Sequence, residues 1–318
     1  MPLKTWVGLI LCNMVWALNP VMGKWVLLDF SPPQGAWLRY FLALLGYGAL
    51  VPILRKSREF KGHKFYFNPK SGTERALIWT LAFMTFCYSP LTQMVGLASS
   101  HATENSLIIA MEPLMTVALA WIFLGERLGL KMVLIFSLAL SGFGFLSDLL
   151  PWKGGLAFEG HIRGNVILLL SLLGEASYSV LSRKLMRKHE ATEIFGSALL
   201  LGVVLLTFSV LFLQGTAIFH PAFFISTLTF KSLFGLIWLG PIGTTLSYLY
   251  WMVALKSNQI AGLALTLFIQ PVLGAFFGRM FLGEKLELRQ GFGAGLILAA
   301  VVIFIWAEIR STKSGLKV

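Results

Sequence analysis

Ten apolar runs, most of them near 20 residues long, follow one another along this chain and constrain its fold more than any other feature. About 20 residues of α-helix cross the hydrocarbon of a bilayer. In lipid every backbone N–H and C=O must find its partner inside the protein, so helices are the natural spanning form. A β-barrel would show alternating segments of about ten residues, and none is visible. Composition agrees: 57% of residues are hydrophobic and 13% charged, against about 25% charged in a soluble domain. The runs place spans at about 5–27, 33–54, 76–97, 103–124, 131–147, 164–183, 194–214, 232–255, 261–282 and 290–307.

A net charge of +12 would point to nucleic acid in a soluble protein. Here the basic residues sit in short loops between spans, where Lys and Arg hold a membrane protein's orientation. With no basic, aromatic-interleaved domain, no nucleic-acid partner is expected. With the N-terminus inside, 18 of the 26 Lys and Arg fall on the inner side and five on the outer side; Lys24, Arg39 and Arg279 stay within spans. That bias predicts a multi-pass protein of the cytoplasmic (inner) membrane with both termini in the cytoplasm. The apolar run after Met1–Lys4 is too long for a signal-peptide core and lacks an A-x-A cleavage site, so it is taken as the first span. Cys12 and Cys87 lie inside spans without CxxC spacing, and all five histidines fall in loops. No metal or other cofactor is therefore expected. Nor is an enzyme, since no span holds a histidine and no GxSxG or metal-cluster motif occurs.

The chain also repeats itself. Leu124-Gly125-Glu126-Arg127-Leu128 recurs as Leu282-Gly283-Glu284-Lys285-Leu286 at a spacing of 158, and Pro113 recurs as Pro271 at the same spacing. Near the start of each half, Ala17, Asn19 and Lys24 align with Ala176, Tyr178 and Arg183 at a spacing of 159. Each half then holds five spans. Five is odd, so the second half enters from the opposite face, which is an inverted-topology repeat. The expected fold is an all-α membrane protein of ten transmembrane helices, two inverted five-helix repeats around a central cavity. Residues 1–147 form the first repeat, 148–163 an external connecting loop, 164–307 the second repeat and 308–318 a cytoplasmic tail.

Polar groups in lipid cost free energy unless paired, so helical faces that carry them turn inward. Ser171, Glu175, Tyr178, Ser179 and Ser182 share one face of the sixth span; Thr85, Tyr88, Ser89 and Thr92 one face of the third. Thr244, Ser247, Tyr248 and Trp251 do so in the eighth, Asn105, Glu112 and Thr116 in the fourth, and Thr266 and Gln270 in the ninth. The fifth and tenth spans offer little but Ser, Gly and Ala. Spans 1, 3, 4, 6, 8 and 9 are therefore expected to surround the cavity, with 5 and 10 at the periphery. Expected substrate contacts are Asn19, Tyr88, Glu112, Glu175, Tyr178, Tyr248, Trp251 and Gln270. Pro20, Pro113 and Pro271 each free a carbonyl one turn back, and such breaks at corresponding points of two repeats mark a site or a gate. Glu112 and Glu175 are the sharpest signals: one of them binds a cationic or amine group of the substrate or a coupling proton, or else they are neutral acids hydrogen-bonded across helices or paired with Arg39 or Lys24. Lys24, Arg39 and Arg279 fit snorkelling or anion attraction, and Glu104 a solvated helix start. Gly291-x-x-x-Gly295 allows close helix contact, which leaves monomer and homodimer both open.

Taken in order, Trp16-Ala17-Leu18-Asn19 with Lys24, Pro33 with Arg39, Glu112-Pro113, Tyr178 with Arg183, Pro271 and the two Leu-Gly-Glu stretches are similar to EamA-type members of the drug/metabolite transporter superfamily. The resemblance covers nearly the whole chain. It implies a ten-helix fold with cytoplasmic termini, a cavity between the halves and alternating access, often serving export of amino acids or other metabolites. The chain departs from the family at Glu175, where an aromatic is usual, and at Gln270, where many members carry glutamate. The function expected is secondary transport of a small-molecule substrate among membrane lipids, with protons as candidate coupling ion. The alternatives are a channel or facilitator-like pore, or a lipid or drug translocator.

Overall fold

The computed structural model describes residues 3–57, 60, 62–66, 69, 71–112, 114–116, 119, 122, 130–146, 150, 161–216, 228–257, 266–267, 269–285 and 287–314. Among them ten helical segments succeed one another: α1 (Leu3–Val26), α2 (Pro32–Lys56), α3 (Gly72–Ala98), α4 (Ala102–Ile109), α5 (Leu130–Leu146), α6 (Ile162–Leu185), α7 (Ala191–Gln214), α8 (Phe230–Lys256), α9 (Ile269–Leu282) and α10 (Leu288–Ser314). Six of these, α1, α2, α3, α6, α7 and α8, are long and apolar enough to cross a membrane. Large apolar side chains such as Phe212 and Phe230 stay exposed on the outside of the bundle, as lipid-facing residues do.

Local chemistry sets the helix starts. Ser31 opens α2 through a capping box with Gln34, and Pro32 and Pro33 occupy the first turn, where no amide is needed. The Ser71 hydroxyl caps α3 by accepting from the Glu74 amide at 3.1 Å. In α4 the cap comes from the other half of the chain. Glu284 accepts from the Ala102 and Thr103 amides at 2.9 and 2.8 Å, setting a carboxylate on a helix N-terminus. Burial alone would raise the Glu284 carboxyl, but His101 and these amides outweigh it and hold it at about 2. The preceding Gly283 has φ +67°, a left-handed turn that glycine adopts freely.

The helix pairs reveal the repeat. α2 packs on α8 as α7 packs on α3; α3 packs on α6 as α8 on α1; α1 packs on α9 as α6 on α4. α4 meets α9, and α5 meets α10. Exchanging helix n with helix n+5 maps each of these pairs onto another pair or onto itself, as two repeats around a pseudo-two-fold axis require. α5 and α10 pack chiefly on one another. A Cβ on Gly142 would lie 2.7 Å from the Gly293 carbonyl, so that pair meets backbone to backbone. Gly291 and Gly295 instead face open space.

Two irregularities sit at equivalent places in the repeats. Residues Met84–Tyr88 of α3 and Trp238–Leu246 of α8 form π-helical turns. Such turns insert one extra residue and gather at functional sites. Gly174 of α6 lets α3 approach at its π-turn: a Cβ there would meet the Met84 carbonyl at 2.3 Å. Thr85 then donates to the Gly174 carbonyl at 3.1 Å.

Candidate functional site

A cleft of about 730 Å³, counting its space open to solvent, lies between the repeats. Asn19 and Pro20 of α1, Glu112 beyond α4, Glu175 and Tyr178 of α6, Tyr248 and Trp251 of α8, and Gln270 of α9 all line it. Seven of the eight expected substrate contacts thus converge from both halves. Tyr88 does not join them. Its hydroxyl donates to the Leu170 carbonyl at 3.2 Å, and its ring lies beside Phe83. The π-turn ending at Tyr88 adds a residue to the helix, so Ser89 keeps the inward face and Tyr88 swings off it. Pro271 is buried outside the lining, and Pro113 lies outside the described residues.

Glu175 is held by both oxygens. Ser89 donates to Oε1 at 2.8 Å and the Tyr248 hydroxyl to Oε2 at 2.6 Å. The Tyr178 hydroxyl donates to the Tyr248 carbonyl at 2.9 Å, so α3, α6 and α8 close on one carboxyl group. Among the described residues no cation reaches it. Glu112 is held less. α4 ends at Ile109, Ala110 and Met111 bond back only three residues, to Leu107 and Ile108, and helical turns resume at Glu112. The Glu112 side chain has no hydrogen bond or ion pair among the described residues.

The second repeat differs at the matching point. Gln270 donates to Asn13 Oδ1 at 2.7 Å, and Asn13 donates to the Leu9 carbonyl at 2.7 Å and to Thr266 at 2.8 Å. Asn13 is fully buried and escapes sequence reading, since a single asparagine in an apolar run makes no stripe.

Arg39 also belongs to the cleft, beyond the snorkelling or anion-attracting role its sequence suggests. It is 3% exposed. Its Nε donates to Thr244 Oγ1 at 3.1 Å and its Nη1 to Gln93 Oε1 at 3.0 Å. No carboxylate among the described residues lies within ion-pair distance, so this buried cation is held by neutral groups alone. Trp16 is a second residue missed: its indole donates to the Gly243 carbonyl at 2.9 Å, and its ring lies 5.3 Å from Tyr248 and 5.5 Å from Trp251. The cleft thus combines an aromatic wall, one buried guanidinium and two carboxyl groups, all reached from both repeats.

A family model described as the EamA-like transporter family matches residues 4–147 and again 162–306. The chain belongs to that family. Among its EamA-like relatives, an uncharacterized transporter of Archaeoglobus fulgidus is 24% identical over 95% of this chain and 99% of its own. The uncharacterized transporter YvbV of Bacillus subtilis is 27% identical over 94% and 92%. A solved structure titled only "Crystal structure of protein" matches with a TM-score of 0.64 and 15% identity, over 98% of this chain and 99% of the other. At that identity it speaks for the fold alone. The chain is thus a multi-pass membrane transporter of two EamA repeats.

Proposed function

We propose that this EamA-type transporter exports small metabolites, amino acids above all, across the cytoplasmic membrane by alternating access, with protons as coupling ion. The observation that carries the substrate class is the charge pattern of the cleft. Among the described residues Arg39 has no acid partner and offers a site for a carboxylate, and Glu175 and Glu112 have no cation partner and offer sites for an ammonium group. The ring cluster of Trp16, Tyr248 and Trp251 offers an apolar wall for a side chain and a face for a cation. A zwitterion answers all three features at once.

The orientation rests on the loop charges. Both termini lie in the cytoplasm, residues 148–163 connect the repeats (1–147 and 164–307) on the outer side, and 308–318 form a cytoplasmic tail. The end of the bundle bearing Glu190 is then inner, and the end bearing Glu284 outer.

The test is counterflow of labelled amino acids by the purified protein in liposomes, with and without a proton gradient. Saturable exchange is expected, accelerated by the gradient. A hydrogen bond to a charged group contributes about 1.5–3 kcal/mol, so Glu175→Gln should slow exchange about 10- to 100-fold. Unsaturable flux would replace the carrier with a channel. Exchange indifferent to the gradient would leave a facilitator, and no flux with any amino acid would remove that substrate class.

A further inference from the structure

At the Glu284 end of the bundle, outside the cleft lining, three ligand-type side chains meet that the transport reading leaves unused. They are His101, the residue before α4, Glu104 in its first turn, and His161, the residue before α6. Each offers a ligand atom, and all three atoms lie within 4.8 Å of one another. The His161 Nδ1 is 3.3 Å from Glu104 Oε1, and the two imidazole rings stand edge to face with centroids 4.1 Å apart. Glu104 is 1% exposed, not the solvated helix start its sequence suggests. Ser100 donates to its Oε2 at 2.9 Å, and Gln290 of α10 donates to its Oε1. These partners fix the carboxylate as outer-shell groups fix a metal ligand. Both imidazoles are more than a third exposed, so the cluster is reachable from solvent.

We infer that His101, Glu104 and His161 form a binding site for a divalent transition-metal ion of the zinc class. Two imidazoles and one carboxylate suit zinc, cobalt or nickel, whereas calcium and magnesium prefer oxygen. Ligand-to-metal distances of about 2 Å require the side chains to close on one another, and the two partly exposed imidazoles are free to do so. Local charge favours a cation: two carboxylates gather here, Glu104 and Glu284, whose Oε1 is 3.6 Å from His101 Nδ1, and both act on the ammonium of Lys24. Water supplies the remaining coordination.

The site also joins the two repeats. His101 and Glu104 belong to the first, while His161 immediately precedes α6, the first helix of the second, and the supporting Gln290 lies on α10 of the second. Alternating access moves one repeat against the other, so a bound ion acts as a staple between them. This second step rests on the transport reading; the binding site does not.

The purified full-length protein in lipid nanodiscs is titrated with zinc chloride, then magnesium chloride, by calorimetry. One saturable zinc site per chain is expected, with no magnesium heat, and His101→Ala and His161→Ala should each weaken it about tenfold or more. Zinc binding unchanged in both variants, or absent in the parent, overturns the site. Should either variant elute as an aggregate, the double variant His101→Cys with His161→Cys replaces it: cysteines ligate zinc, so retained zinc binding is expected and its loss overturns the assignment. In liposomes, external zinc should slow amino-acid exchange in the parent and not in His161→Ala. Zinc bound without slowing overturns the staple. The failure of transport itself shows separately, in the zinc-free arm.

Discussion

α4 and α9 occupy equivalent places in the two repeats and pack against each other, yet they treat the same position differently. In the first repeat Glu112 follows an interrupted turn at Ala110 and Met111, and its side chain is unheld among the described residues. In the second, Gln270 sits within the helical run Ile269–Leu282 and is tied to Asn13 of α1. The fold is symmetric and the chemistry is not. One repeat keeps an acid available in the cleft, and the other spends the matching position on an internal hydrogen bond. A duplicated scaffold can thus keep its shape while one copy takes on binding and the other bracing.

The strongest challenge to this contrast is Glu112→Gln, which makes the two positions alike. If Glu112 serves the substrate or its proton, exchange should fall about 10- to 100-fold, the equivalent of losing a contact of about 1.5–3 kcal/mol. The melting temperature should stay the same, since no held partner is lost. Wild-type exchange with wild-type gradient dependence would reduce the acid to a bystander. Next comes Asn13→Ala, which strands the Gln270 amide and removes the donor to Thr266. It should lower the unfolding free energy by about 1–3 kcal/mol, the cost of an unsatisfied buried group, measured by denaturant titration in detergent. Equal stability would mean that Gln270 does not brace α9. The smallest effect is expected for Gln270→Glu, which copies the first-repeat acid into the second. A carboxylate cannot donate to Asn13 Oδ1, so about 1 kcal/mol should be lost, while exchange stays within about twofold of wild type. A larger fall in exchange would show that both positions face the substrate.

Much of this architecture was legible in the residues, for physical reasons that also mark the limits. Apolar runs near 20 residues announce spans because lipid tolerates little else, and the Leu-Gly-Glu stretches announce the repeat. Faces of Ser, Thr, Tyr and Glu found the cleft because helical spacing gathers them. Helical spacing sets Tyr88 on the inward face because it assumes 3.6 residues per turn, and the π-turn at Met84–Tyr88 breaks that count. Arg39 and Trp16 give weak signals in the sequence because a lone cation near a span end and a tryptophan in an apolar run both have ordinary explanations. The His101, Glu104 and His161 cluster was invisible since it spans 57 residues between Glu104 and His161, a distance only the fold closes.

The paired π-turns in α3 and α8 behave like dislocations in a crystal. Each stores one surplus residue, and such a defect slides by exchanging one set of hydrogen bonds for another, with little net change in their number. Sliding past a residue turns it by about 100° about the helix axis, the angle one residue occupies. Ser89 and Thr244, which hold Glu175 and Arg39, stand at these defects. A migration of either defect would withdraw a hydroxyl from a charged group and hand that charge to whatever occupies the cleft, with no need to unwind the membrane-spanning rod that carries it.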